Sequence, residues 1–138
     1  MLTHTIQADF ISGMEFKTNV NDHILTLDLS SEDGGANHGP RPKLLMLSAL
    51  AGCTGLDVVS LLNKMKAPFK NFSIQVSAML TDEHPKIYKD VHIVYYIHVS
   101  KGDQSKVEKA VNLSQEKYCG VSAMFKAFAT LSYKIEFR

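Results

Sequence analysis

What this sequence lacks removes several classes of function before any motif is considered. Lys and Arg exceed Asp and Glu by one, 15 against 14. No run of like charge stands out, so the electrostatic footprint that a phosphate backbone requires is missing and no nucleic-acid partner is expected. Neither Cys53 nor Cys119 has a CxxC partner. His4, His23, His38, His84, His92 and His98 form no HxxxH or HxH pair, so the ligand spacing of a zinc site is absent. His92 and His98 share a strand face but stand about 20 Å apart at ~3.3 Å per residue, too far to hold one ion. Gly34-Gly35 does not lead from a strand into a helix with the spacing of a phosphate-binding loop. Neither a metal nor a cofactor is expected. Met1 to Ile6 has no basic segment followed by an apolar block and a small-residue cleavage site. A cytoplasmic location is therefore expected, where thiols stay reduced and a pair of cysteines is catalytic or incidental rather than a structural bridge.

What is present is an ordinary globular composition: 138 residues, 45% apolar and 21% charged. That length fits one domain with its own core, residues 1–138. Alternation over Leu2, Ile6, Ala8 and Phe10 predicts a first strand. Met14 to Val20 and His23 to Leu29 predict two more, joined by a turn over Asn19-Val20-Asn21-Asp22. Ser30 to Pro42 is rich in Gly, Pro, Asn and Asp without periodicity and reads as a long loop. Pro42 suits the first turn of a helix, which then runs to about Lys66. From Leu44 to Leu62 this helix is apolar nearly all round. A membrane span is long and apolar in the same way, but Asp57, Gly52, Gly55 and the flanking alternating strands argue against one. A soluble helix apolar on every face is buried on every face, and one small sheet cannot cover it, which points to a partner subunit.

Two clear strands follow, one carrying Phe72, Ile74, Val76, Ala78 and Leu80, the next Val91, Ile93, Tyr95, Ile97 and Val99, joined through Thr81 to Pro85 as an antiparallel hairpin. Ser105 and Glu108 have capping-box spacing at the start of a surface helix that runs to about Tyr118. A second helical piece begins near Cys119, and Leu131, Tyr133, Ile135 and Phe137 close the chain as a strand. The order is βββ-α-ββ-αα-β, an α+β protein.

The candidate chemistry lies in the two cysteines. Cys53 sits mid-helix, where a free cysteine behaves as a small buried hydrophobe unless something activates it. Cys119 falls where a helix begins, and the positive end of the helix dipole favours thiolate there. Local residues alone do not rank the two. Asp57, one turn after Cys53, shares its face, and an unpaired carboxylate there raises the thiol pKa. A structural role for Asp57, paired with a base or capping a backbone group, is expected. Arg41 and Lys43 are the basic residues at the mouth of the helix. Lys43 opposes the helix dipole in the first turn.

Gly39-Pro40-Arg41-Pro42-Lys43-Leu44-Leu45 leading into Ala49-Leu50-Ala51-Gly52-Cys53-Thr54 resembles the helix that carries the peroxidatic cysteine in the OsmC family of organic hydroperoxide resistance proteins. His84-Pro85-Lys86, and Glu116-Lys117-Tyr118-Cys119 with Val121-Ser122-Ala123, extend the resemblance over nearly the whole chain. It implies antiparallel sheets packed around a long buried central helix, in an intertwined homodimer with sites at the interface. It also implies that Cys53 attacks a small hydrophobic peroxide, and that Cys119 resolves the sulfenic acid to a disulfide that an external dithiol reduces. In peroxidases of this family a glutamate follows the proline at the helix start and an arginine from the N-terminal region supports the thiolate. Here Lys43 stands in the glutamate's place and residues 1 to 40 contain no arginine, which marks a divergent subgroup and makes Arg41 and Lys43 the candidate supporting residues. A small-molecule-binding or thiol-exchange protein on the same scaffold, without membrane contact, is the alternative.

Overall fold

A computed structural model describes residues 1–138, and its chain divides into two compact units, Met1–Met46 and Leu47–Arg138. The first unit is an antiparallel meander of β1 (Gln7–Ser12), β2 (Glu15–Val20) and β3 (His23–Leu27), in the order β1-β2-β3. Asn21 and Asp22 both take left-handed backbone angles, φ 51° and 64°, the geometry of a two-residue hairpin turn and one that Asn and Asp tolerate. β1 begins later than the alternation suggested, and Met1 to Ile6 lie outside any strand.

The loop after β3 is ordered by one carboxylate. Asp28, 2% exposed, accepts the N–H groups of Leu29 at 2.7 Å, His38 at 3.1 Å and Ala36 at 3.2 Å. Gly35 and Gly39 are required here, because a Cβ at either would collide with the carbonyl oxygen of Leu29 or Thr26. Arg41 closes the loop onto Asp33 through an ion pair.

α1 spans Pro42–Lys64, starting at the proline that the sequence placed in the first turn. It is long and apolar enough to cross a membrane by length and composition. Within its own chain the buried residues form the single stripe Leu50, Thr54, Val58 and Leu62, while Leu56 on another face is 73% exposed, so one copy of the chain covers one face of the helix. Periodicity reports how apolar a face is, and does not report what covers it.

The second unit is built on the order β4-β5-β6, with β4 (Lys70–Leu80), β5 (Tyr88–His98) and β6 (Thr130–Phe137). β4 and β5 are the predicted antiparallel hairpin. β6 runs parallel to β5, pairing Tyr95 with Ile135, so this sheet is mixed where antiparallel sheets were expected. The reason is the connection: parallel neighbours need a crossover of a dozen or more residues. Here it is α2 (Gln104–Leu113), a π-helical turn (Ser114–Tyr118) and α3 (Gly120–Lys126). The capping-box reading is also displaced, since α2 begins at Gln104 behind Asp103, with no side-chain cap. The core joins Leu50, Val58 and Leu62 of α1 to Val91, Ile93, Tyr95 and Ile97 of β5 and to Val107, Val111 and Phe125. Each large side chain buried this way stabilises the unit by roughly 1.5–3 kcal/mol. Gly55 lets α1 approach β4, for a Cβ there would stand 3.0 Å from Cδ1 of Ile74, whereas Gly52 faces open space.

Three backbone donors hold the Asp28 pKa below its ordinary 3.8, the His38 N–H foremost. The stabilisation is complete at pH values above the ordinary pKa and is lost as pH falls through the depressed one. At neutral pH, Asp28→Ala is expected to speed amide hydrogen exchange at Ala36 and His38 by about tenfold or more, and the difference from the unaltered chain should shrink in strong acid.

Candidate functional site

The second unit brings both cysteines together. Cys53 lies half-buried on α1 and Cys119 is buried, 3% exposed, at the N-cap of α3. The two thiols are close enough for Cys119 to raise the pKa of Cys53. Both lie by the start of α3: the Ser122 N–H donates to Cys119 Sγ at 3.3 Å, and the Val121 N–H acts on Cys53 to lower its pKa. The first amides of a helix have no intrahelical acceptor, and here one of them is spent on the Cys119 sulfur.

The Cys53 pKa is nevertheless raised above the ordinary 9.0, first by burial, then by the neighbouring Cys119 and by the Asp57 carboxylate, with the Val121 N–H opposing them. The repulsive effect of Asp57 agrees with its position one turn after Cys53. Its expected partner was a base or a backbone group; its partner is the Ser114 hydroxyl, which donates to Asp57 Oδ2 at 2.9 Å.

That contact opens onto a buried polar network that single-residue reading of the sequence did not reveal. Thr54 Oγ1 lies 2.6 Å from the Tyr95 hydroxyl and 2.7 Å from Ser114 Oγ. Gln115 Nε2 donates to the Tyr95 hydroxyl at 2.7 Å. Thr54, Ser114 and Gln115 are at most 3% exposed, and a buried polar group without a partner costs about 1–3 kcal/mol, so these contacts are obligatory. Tyr95 has its pKa raised by burial, which keeps its phenol a hydrogen-bond donor at neutral pH. Two buried polar atoms have no protein partner, Gln115 Oε1 and Ser122 Oγ.

A surface pocket of about 150 Å³ continues along α1 from Asp57, lined by Asp57, Ser60, Leu61, Lys64 and Tyr118. Of the candidate basic residues, Arg41 is bound to Asp33 and, at 3.4 Å, to Ser30 Oγ within the first unit. Lys43 occupies the first turn of α1, which contains no acidic residue. The first unit also contains a group that no spacing motif announced: ligand atoms of Glu15, Asp28 and His38 all lie within 4.8 Å of one another. Asp28 is already committed to three backbone amides and His38 Nδ1 meets Glu15 Oε1 at 2.6 Å, so the group is accounted for as the anchor of the loop.

An α+β chain of two three-stranded sheets, with one cysteine on a long helix and another at the start of a short one, has the architecture of the OsmC-like proteins. Residues 34–134 match the family described as OsmC-like protein, and the chain belongs to that family. It is 25% identical over 131 residues to Protein YhfA of Escherichia coli K12, covering 94% of this chain and 95% of that protein. The crystal structure of a hypothetical protein from Aquifex aeolicus VF5 superposes with a TM-score of 0.81 at 27% identity, over 100% of this chain and 99% of the other. An organic hydroperoxide resistance protein OsmC from Legionella pneumophila shares the fold, with a TM-score of 0.68 at 18% identity, over 99% and 98% of the two chains.

Removing the charge at position 57 tests the electrostatics of the thiol. Asp57→Asn keeps an acceptor for Ser114 but deletes the repulsion, so the Cys53 pKa should fall. The pH profile of Cys53 alkylation, read by mass on the Cys53 peptide, should move to lower pH; a profile that stays in place or moves up contradicts the assigned role of Asp57.

Proposed function

We propose that this protein is a cysteine-based peroxidase that reduces small hydrophobic organic hydroperoxides in oxidative stress defence. The observation that carries the reading is the thiol pair itself, two free cysteines close enough to act on each other's ionisation, with Cys119 seated on a first amide of α3. The Cys53 thiol loses its proton and attacks the O–O bond, releasing the alcohol after that proton reaches the alkoxide and leaving Cys53 as sulfenic acid. The Cys119 thiol then displaces water to form the disulfide, and an external dithiol, itself oxidised to a disulfide, returns both cysteines to thiols. The Val121 N–H favours the thiolate that starts this sequence. The name of the Legionella relative supports a redox role. A cytoplasmic location fits a pair that has to be reduced after each turnover.

A second reading has an observation of its own. Burial and Asp57 hold the Cys53 thiol protonated at neutral pH, and Arg41 is engaged by Asp33. A thiol-exchange or small-molecule-binding protein on this scaffold needs no activated peroxidatic thiolate.

Reduced protein mixed with cumene hydroperoxide separates the two. The peroxidase reading expects a loss of two hydrogens per chain by mass, with Cys53 and Cys119 linked. Unchanged thiols favour the second reading.

We also infer a homodimer. α1 has 17% of its most apolar stretch buried, and Leu56, Met124 and Met79 are 73%, 62% and 67% exposed, more bare apolar side chain than a monomer leaves without function. Sedimentation should give a dimer at micromolar concentration, with a buried interface above roughly 2,000 Å², and Leu56→Glu should shift the population towards monomer. A stable folded monomer of the unaltered chain contradicts the inference.

A further inference from the structure

The hydrogens of the buried network can be placed one by one. Ser114 gives its single hydroxyl proton to Asp57 Oδ2 at 2.9 Å. In the Ser114 to Thr54 contact the donor is then Thr54, because the Ser114 proton is already used. Thr54 has no second proton, so Tyr95 donates to Thr54. Gln115 completes the order by donating from Nε2 to the Tyr95 oxygen. The result is one directional chain, Gln115 to Tyr95 to Thr54 to Ser114 to Asp57, with every hydroxyl acting once as donor.

Its members sit on the elements that carry the sulfurs. Thr54 follows Cys53 immediately on α1, and Asp57 lies one turn further. Ser114 and Gln115 open the π-helical turn whose last hydrogen bond runs from the Cys119 N–H to the Ser114 carbonyl at 2.8 Å. Lys126 of α3 donates to the Gln115 carbonyl, also at 2.7 Å. Tyr95 is fixed from behind, its ring packed edge-on against Tyr133 at 6.1 Å and its strand held between β4 and β6. The apolar stripe of α1 sets how closely the helix lies on the sheet. Apolar packing of α2 also brings the π-helical turn near α1, but it has no preferred direction, whereas the hydrogen-bond chain ties α1, the turn and β5 together at specific atoms.

We propose that this buried chain is a positioning device for the thiol pair: Tyr95, Thr54 and Ser114 hold α1 and the π-helical turn in register so that Cys53 and Cys119 stay within bridging distance. The inference rests on the redox-pair reading of the cysteines, but not on peroxide as the oxidant. Its residues touch no substrate and act through the separation of the two sulfurs, which appears as their effective concentration in disulfide formation.

The test is an equilibrium between the full-length protein and a glutathione buffer. Two protein thiols and one oxidised glutathione give one Cys53–Cys119 disulfide and two reduced glutathiones, and the linked fraction is read by mass. Tyr95→Phe and Thr54→Val, which remove an oxygen while keeping shape, should each lower the equilibrium constant by about tenfold. The double variant should lose less than the product of the two, because both cut the same chain. Thr54→Ser, which restores the hydroxyl, should stay within about twofold of the unaltered protein. Leu62→Ala is the control for general loosening, since it weakens the core without touching the chain. Equal constants for Tyr95→Phe, Thr54→Val and the unaltered protein overturn the proposal, and so does a loss in Leu62→Ala as large as theirs. If the unaltered protein forms the disulfide with glutathione but leaves hydroperoxide untouched, the peroxidase reading fails while the positioning role stands. If it forms no disulfide at any buffer ratio, both fall.

Discussion

Thr54 places a hydroxyl in the middle of an otherwise apolar stripe, and that hydroxyl has to be satisfied where no water reaches. The three aliphatic residues beside it, Leu50, Val58 and Leu62, are fully buried and fasten α1 to the sheet by the hydrophobic effect, which has no preferred direction. Hydrogen bonds do have direction. Thr54 therefore converts a greasy contact into a specific one: it requires an oxygen on β5, supplied by Tyr95, and one on the turn beyond α2, supplied by Ser114. In the proposed positioning role, the place of Cys119 beside Cys53 follows from where that turn is held.

The element order was legible because the chain states it in two periods. Alternation at Phe72, Ile74, Val76 and Ala78 and at Val91, Ile93, Tyr95 and Ile97 marks one face of each strand, and all of these positions are half-buried or buried, although the central strand β5 also buries Tyr88 and Val94 and half-buries His92, Tyr96 and His98. Pro42 marks the helix start to the residue. What the pattern could not carry was pairing direction and cover. The alternation of Leu131, Tyr133, Ile135 and Phe137 is the same whether β6 runs parallel or antiparallel to β5, and the choice is made by the helical crossover that precedes it. Likewise Leu44 to Leu62 reads as apolar all round, yet its own chain covers one stripe.

The site was legible in its reactive atoms and opaque in its support. Cys119 was placed at a helix start from the residues that follow it, and α3 does begin at Gly120. Cys53 and Asp57 were put on one face by their spacing. The partners of Thr54 were not readable, because Tyr95 and Ser114 lie 41 and 60 residues away, and nothing local in a tyrosine or serine announces a buried hydroxyl contact. For the same reason the amides of Val121 and Ser122, as backbone groups, were invisible in side-chain motifs even though they are the donors nearest the sulfurs. The basic residues that attracted attention, Arg41 and Lys43, were chosen for charge, while Arg41 is held by a carboxylate of its own loop.

The π-helical turn at Ser114 to Tyr118 sets the rotational phase of everything after it. A residue advances an α-helix by about 100°, and a π-type ring holds one residue more than an α-type ring. Were the same residues wound as plain α-helix, Tyr118 rather than Cys119 would donate to the Ser114 carbonyl, and Cys119 would be carried about 100° further around the axis, its sulfur away from Cys53. The local geometry that looks like an irregularity in the helix is thus the extra residue that brings Cys119, and not Tyr118, over the Ser114 carbonyl.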